Sequence, residues 1–294
     1  MHDPAIAERQ YLELTRSIVE EGEYVKPANE EGRYQRFSGV IECPIHDLHV
    51  PVLTTKFVAW KWAFREIMWF LQGTQNVQYL HDRKVTIWDT WADENGNVGP
   101  LYGYLMRNWP IESSLKHEHN GRTRIDQVAK VVKSLRERPE ARSHVVSMWR
   151  PDLEPAQAIK PCPMMLQFYR VGDRVSLIVF QRSCDMFLGV PFNLAQYAFL
   201  THVIARQIGC HAEHMTWHGA DIHVYENHVD QLYQQYEQPV RQAPRLSFVR
   251  PLQTVRDVGD YEIPRDVYIE GYQPGPRLPA DISAQGTPGQ ALAL

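Results

Sequence analysis

Cys162 stands between two prolines, in Lys160-Pro161-Cys162-Pro163, just before an apolar run that reads as a strand. A thiol there is either a small core hydrophobe or a nucleophile, and its neighbours decide between the two. Further along, Gln181-Arg182-Ser183-Cys184-Asp185 closes a second apolar run, and Leu188-Gly189-Val190-Pro191-Phe192-Asn193 leads into an apolar helix. An Arg beside a Ser at a strand end can cradle a phosphate, because the guanidinium fork and the hydroxyl both donate to its oxygens. An Arg also lowers the pKa of a nearby thiol, the direction that nucleophilic use requires. The plain alternative for this cluster is a solvated strand end. Asn193 reads as an N-cap. Its amide also carries an acceptor and donors in one plane, matching the N3–H and O4 edge of uracil, whereas an Asp would suit the amino edge of cytosine.

The elements that must position these groups follow from periodicity. Residues 4–21 predict an amphipathic helix, with Ala7, Tyr11, Leu14 and Ile18 on one face and Gly22 as its stop. Residues 25–36 have no apolar period and read as a loop, and residues 37–53 read as short strands with a turn at His46-Asp47. Val58–Leu71 is apolar on every side, the mark of a buried helix, and Gly73 ends it. A polar stretch covers Thr86–Gly103, and a helix is expected around Ile125–Leu135. Strands are expected at His144–Trp149, Met164–Tyr169 and Arg174–Gln181, then a buried helix over Leu194–Ile208. A short strand near Met215 and an amphipathic helix over Asp221–Tyr236 come next. The last 24 residues, with four prolines, read as an irregular tail. The fold class is α/β (α+β): one domain of helices packed on a mixed or antiparallel sheet.

Composition removes whole classes. In 294 residues, 44% are apolar and 22% charged, which excludes disordered and collagen-like chains. The longest apolar run, Ile67–Leu71, is far short of the ~20 residues that span a membrane. The start carries no basic or apolar leader, so a cytoplasmic location is expected, a host's cytoplasm if the chain is phage-encoded. With 31 Lys+Arg against 35 Asp+Glu, a nucleic-acid partner is disfavoured. The four cysteines, Cys43, Cys162, Cys184 and Cys210, have no C-x-x-C spacing, so no metal and no disulfide framework is expected.

Taken together, the motifs resemble the thymidylate synthase family. The resemblance rests on Cys162 before a strand, Gln181-Arg182-Ser183-x-Asp185, Leu188-Gly189-x-Pro191-Phe192-Asn193-x-Ala195-x-Tyr197 and Asp221-x-His223-x-Tyr225-x-Asn227-His228. It extends to Leu53-Thr54-Thr55-Lys56, Glu66-x-x-Trp69-Phe70-Leu71-x-Gly73, Ile87-Trp88-Asp89-x-Trp91-Ala92, Gly99-Pro100-x-Tyr102-Gly103 and Glu270-Gly271-Tyr272, in order over roughly residues 8–280. It implies a catalytic domain over residues 1–280, a tail extension over 281–294, and a homodimer formed through one face of the sheet.

The activity implied is one-carbon transfer from 5,10-methylenetetrahydrofolate to C5 of a dUMP-like pyrimidine nucleotide, without a metal. The resemblance assigns catalysis to Cys162, Glu66, Tyr102, Asn193 and Asp185. Cys162 would attack C6, Tyr102 would help remove the C5 proton, and Glu66 would organise the proton chain. The nucleotide would be held by Arg142 from the partner subunit and by Gln181, Arg182, Ser183, Asn193, His223 and Tyr225. Folate would lie against Lys56, Trp88, Trp91, Asp185, Gly189 and Phe192.

Four departures from the family pattern bear on the product. Pro163 follows Cys162 where the family has a histidine, removing a hydrogen-bonding group near the base O4. Pro27-Ala28-Asn29-Glu30-Glu31-Gly32 stands where a phosphate-binding Arg-Thr-Gly loop is expected, with Arg33 or Arg36 as substitutes. The usual Arg-Arg pair is Arg142-Ser143. The terminal segment that folds over the folate is altered to Leu278-Pro279-Ala280-Asp281-Ile282, and twelve residues follow it. A changed lid admits water, so the favoured outcome is 5-hydroxymethyl-dUMP with tetrahydrofolate released. The alternatives are an ordinary thymidylate synthase, a dCMP or CMP hydroxymethylase, and a degenerate nucleotide- or RNA-binding member without turnover.

Overall fold

The computed structural model describes residues 3–28, 31–282 and 291–292. Asn29 and Glu30 of the acidic loop, and residues 283–290 and 293–294 of the expected tail, lie outside the described residues. The chain begins with helix α1 (Ile6–Glu21), strands β1 (Glu23–Val25) and β2 (Arg33–Pro44), and a turn at His46–Leu48. Helices α2 (Trp60–Gln72), α3 (Gln78–His81) and α4 (Tyr102–Asn108) follow, then short β3 (Trp109–Pro110) and β4 (Arg124–Ile125), and α5 (Gln127–Glu137). Next come β5 (Val145–Ser147), β6 (Pro163–Val171), β7 (Arg174–Asp185), α6 (Gly189–Gln207), β8 (His211–Tyr225) and α7 (Val229–Tyr236). The hairpin partners β9 (Arg245–Phe248) and β10 (Val267–Glu270), then β11 (Ala280–Asp281) and β12 (Ala291–Leu292), complete it.

The main sheet has six strands in the order β1-β2-β8-β7-β6-β5. It is mixed, since β7 and β8 run parallel and every other seam is antiparallel. A parallel pair cannot be joined by a tight turn, and α6 is the crossover that joins this one. Side chains across a sheet share a face, and the register separates two faces here. Ile41, Trp217, Val179, Leu166 and Val146 form one row and are all buried. The next row, Val40, His218, Phe180 and Met165, is half-buried or exposed. The covered face lies under α1 and α6, and α2 packs on α6, where Phe64 and Phe199 stack at 4.3 Å. That is why both α2 and α6 are apolar on nearly every side.

Glycine is needed where α4 crosses α2. A Cβ on Gly103 would stand 2.8 Å from the Phe70 carbonyl oxygen, so the close approach that seats Tyr102 requires its absence. Gly73, at φ 73°, ends α2 in the left-handed region, as the sequence predicts.

Several sequence expectations are corrected. Arg33–Arg36, read as loop, are the start of β2, and residues 37–44 continue that one long strand. Their polar side chains give no apolar period, and the hydrogen-bond ladder with β8 supplies the order instead. Asp221–Tyr225, read as helix, are the end of β8; the helix is only Val229–Tyr236. Ile222–Tyr225 are buried on both faces, which erases the period-2 signal. α6 begins at Gly189, so Asn193 lies inside it and is not its N-cap. Pro191 sits in the first turn, where no intrahelical N–H is required. The tail is not wholly irregular, since Ala280–Asp281 pair with Ala291–Leu292.

A buried carboxylate ties α1 to the segment before α2. Glu8 accepts four hydrogen bonds, all at 2.7 Å, from the backbone N–H and hydroxyl groups of Thr54 and Thr55. Glu8→Ala leaves those donors buried without an acceptor. Stability is expected to fall by roughly 3 kcal/mol, read as a lower urea midpoint with an unchanged m value.

Candidate active site

The loop carrying Cys162 is shaped by what its neighbours lack. Pro161 and Pro163 have no N–H, so the Cys162 amide is the single donor of the three, and it donates to Tyr102 Oη at 2.8 Å. Antiparallel pairing of Pro163 with Gln181 brings Arg182 alongside. The Arg182 amide donates to the Cys162 carbonyl at 2.9 Å. Its Nε donates to the Pro161 carbonyl and its Nη2 to that of Lys160, each at 2.9 Å. The guanidinium that the sequence marks as a phosphate cradle thus tethers the thiol loop, while Nη1 makes none of these bonds. Burial pushes the Cys162 thiol up, and the Arg182 charge and the Tyr102 hydroxyl pull it back.

Cys162 opens into a cavity of about 220 Å³. Glu66, Tyr102, Asp185 and Asn193 line the same cavity, as do Trp88, Trp91, Gly189 and Phe192. Glu66 comes from α2 and is buried. Trp88 Nε1 donates to its Oε1 at 2.5 Å, and Gln196 Nε2 donates to its Oε2. Burial raises the carboxyl to about 7, against the pull of those two donors. Tyr102, stacked on Phe70 at 4.8 Å, is pushed well above its usual value by burial. Asp185 Oδ1 accepts from the amides of Phe187 and Leu188, at 3.0 and 3.1 Å, and so forms the turn into α6. Its second oxygen makes neither bond.

A second group lies where β7 and β8 end side by side. The register pairs Ser183 with Asp221 and Asp185 with His223. His223 is buried, 3.1 Å from Asp221 Oδ1 through Nδ1, with its ring edge-on to Tyr225 at 5.2 Å. Across the other seam Arg33 pairs with Tyr225, and Gln35 with His223. Asp221 is held below its usual range by its hydrogen bond from His223, with Arg33 and Arg182 adding positive charge. Arg33 therefore belongs to this neighbourhood, while Arg36 is ion-paired to Glu21 at 3.0 Å.

Arg182, Ser183, His223 and Tyr225 are outside the cavity lining, and three more expected residues stand apart from both groups. Gln181 is buried, accepting from Trp217 Nε1 at 2.9 Å and donating to the Ser183 carbonyl at 3.0 Å. Lys56 is buried, donating to the Phe187 carbonyl with its ammonium 3.5 Å from that ring, and burial pulls it down to about 7. Arg142 is exposed, just before β5. Sequence reasoning missed Gln196, Tyr197 as a cavity wall, and Ile159. Gln196 had a legible signal: an amide amid the apolar positions of α6, three residues after Asn193. Ile282 also lines the cavity, so the C-terminal segment reaches it.

The wall suits a flat heteroaromatic ring, because Trp88, Trp91 and Phe192 line it and the buried Trp91 Nε1 has no acceptor among the described residues. A larger depression of about 900 Å³ shares Trp91 but contains none of the five groups assigned to catalysis. Among the described residues no three His, Cys, Asp or Glu side chains gather as a metal site, and no helix is long and apolar enough to cross a membrane. Comparison with protein families finds a match to the model described as Thymidylate synthase over residues 9–284.

The raised Glu66 carboxyl has a measurable consequence. The folded chain holds this proton up to about pH 7, whereas the ordinary value is 4.5. The folded state therefore binds more protons in that window, and stability falls as pH rises through it. The urea stability of wild type relative to Glu66→Gln is expected to drop by on the order of 3 kcal/mol between pH 4 and pH 8.

Proposed function

The chain belongs to the thymidylate synthase family, folate-dependent enzymes that transfer a one-carbon unit to C5 of a pyrimidine nucleotide, and we propose that its own product is 5-hydroxymethyl-dUMP. The observation that carries this reading is the cover of the cavity. The segment reaching it at Ile282 is paired through Ala280–Asp281 with Ala291–Leu292, and His228 Nε2 lies 2.8 Å from the Asp281 carbonyl. Ile282, which lines the cavity, thus directly follows a paired strand. Pro163 adds a wall without a donor beside the thiol. The buried Tyr197 hydroxyl, also in the wall, has no partner among the described residues, which supports a place for water there.

On this reading Cys162 attacks C6 of dUMP and makes C5 nucleophilic, which is covalent catalysis of an otherwise inert carbon. Methylenetetrahydrofolate supplies the CH₂ group when bound. Tyr102 and Glu66 then assist loss of the C5 proton while the methylene–nitrogen bond breaks and tetrahydrofolate leaves with its electron pair, giving an exocyclic methylene on the ring. Water adds its oxygen to that methylene, the electron pair returns to the ring, and the Cys162–C6 bond breaks as the thiolate leaves. Asn193 reads the uracil edge. Arg182, Ser183 and Arg33 face the phosphate, and His223 and Tyr225 the sugar. Trp88, Trp91, Asp185, Gly189 and Phe192 face the folate. Lys56, buried against Phe187, orders that side of the α6 start rather than meeting a ligand.

The reading includes a homodimer through the uncovered face of the sheet. Val40, Tyr169 and Val171 are exposed on its strands, and Phe37 of β2 is 93% exposed. Exposed apolar side chains on a sheet are the kind of surface that a partner subunit covers, which supports this part of the reading. Arg142 of each chain then completes the phosphate site of the other.

Two assays test this. With dUMP and methylenetetrahydrofolate, the wild type is expected to release tritium from C5 without forming dihydrofolate, and mass spectrometry is expected to find the hydroxymethyl nucleotide. Stoichiometric dihydrofolate with dTMP means an ordinary synthase, and no tritium release means a binding protein. Cys162→Ala is expected to abolish turnover. Mixing it with an inactive Arg142→Ala chain is expected to restore activity in the mixed dimer, and failure to do so removes the shared site.

A further inference from the structure

Gln196 lies on the same face of α6 as Asn193, three residues on, and is buried in the cavity wall. Asn193 Nδ2 donates to Gln196 Oε1 at 3.2 Å. Gln196 Nε2 donates to Glu66 Oε2, and Trp88 Nε1 donates to Glu66 Oε1 at 2.5 Å. With Glu66 ionised, the direction of this chain is forced. An indole N–H only donates, and an ionised carboxylate only accepts. Gln196 must therefore turn its amino group to Glu66 and its carbonyl to Asn193, and Asn193 must answer with an N–H.

An isolated side-chain amide looks nearly the same after a half-turn, and only its hydrogen bonds choose between the two states. Turning Asn193 alone would set its carbonyl against the buried Gln196 carbonyl, two acceptors facing each other in a partly buried place. The edge that Asn193 shows the cavity thus has its donor on the Gln196 side and its acceptor on the other. A 4-oxo pyrimidine offers a donor at N3 and an acceptor at C4, while a 4-amino pyrimidine offers the reverse. An amide free to turn serves both edges, and one held in place serves one.

We propose that Gln196 is a positioning residue that makes base selection by Asn193 one-sided, by carrying the polarity of the Trp88–Glu66 pair to the Asn193 amide. Which base is favoured rests on the uracil reading above, whereas the hold on Asn193 does not.

The test is calorimetric binding of dUMP and of dCMP to wild type and to Gln196→Met, at pH 8, where Glu66 is ionised. Methionine keeps the length and apolar fit but accepts no comparable hydrogen bond. The ratio of the two affinities is expected to shrink roughly 10- to 100-fold in Gln196→Met, chiefly through tighter dCMP binding. An unchanged ratio overturns the proposal. A wild type that prefers dCMP overturns the uracil reading alone, and the same collapse of its preference still supports the hold. Binding of neither nucleotide by wild type overturns both. Should Gln196→Met not fold, nitrogen-15 spectra of the wild type decide: one Asn193 side-chain proton protected from exchange supports the proposal, and two equally exposed protons overturn it.

Discussion

A single parallel seam organises this molecule. Every other junction in the main sheet is antiparallel, and only β7 and β8 run together. That choice demands a long connection, and the connection has to be covered, because a crossover helix lies across the sheet it serves. α6 is accordingly buried along nearly its whole length, between the sheet and α2. Its first turns stand over the ends of the two parallel strands, where open α/β sheets commonly present their ligand sites. Gly189, Phe192, Asn193 and Gln196 therefore face Asp185 and the Cys162 loop as a consequence of topology. The groups that close the cavity from the other side, Glu66, Trp88 and Tyr102, arrive on or beside helices that pack against α6 or α2.

Within that frame the polar groups are held in fixed directions. Arg182 is the clearest case, since three of its donors, one of them the backbone amide, go to carbonyls of residues 160–162. The same residue type would serve a phosphate equally well, and sequence alone cannot divide one guanidinium between the two tasks. Glu66 is similar: its two oxygens meet donors from different elements, so α2, α6 and the Trp88 turn must be in register before the carboxyl is solvated by protein. A half-satisfied network of this kind costs more than an apolar replacement, so it acts on specificity of packing as well as on chemistry.

How much of this was legible in the sequence varied by element. α2 could be read from its all-round apolarity and its stop at Gly73, and α1 from its stripe, because local pattern and burial agree there. β2 and β8 could not, for opposite reasons. The start of β2 is polar on both sides and takes its order from a distant partner strand. The end of β8 is buried on both sides, so its apolar content mimics a helix. The site shows the same division. Cys162, Asn193 and Arg182 announce themselves by residue type and motif. Gln196 matters only through the partners that folding brings to it, one of which, Glu66, is far away in sequence.

The state of the thiol links these points. If Cys162 is the attacking group, it works from a position where burial outweighs the nearby guanidinium and favours the protonated form. Such a thiol is mainly protonated at rest. It gives up nothing in intrinsic reactivity, because nucleophilicity of a thiolate rises with its pKa. The cost falls on proton removal, which must accompany attack on the ring rather than precede it. Arg182 is tied to the Cys162 loop through Nε and Nη2, so its charge stays with that loop as the proton leaves. Holding the cation by backbone carbonyls, which titrate at no ordinary pH, keeps that stabilisation constant, whereas a carboxylate partner would have neutralised it.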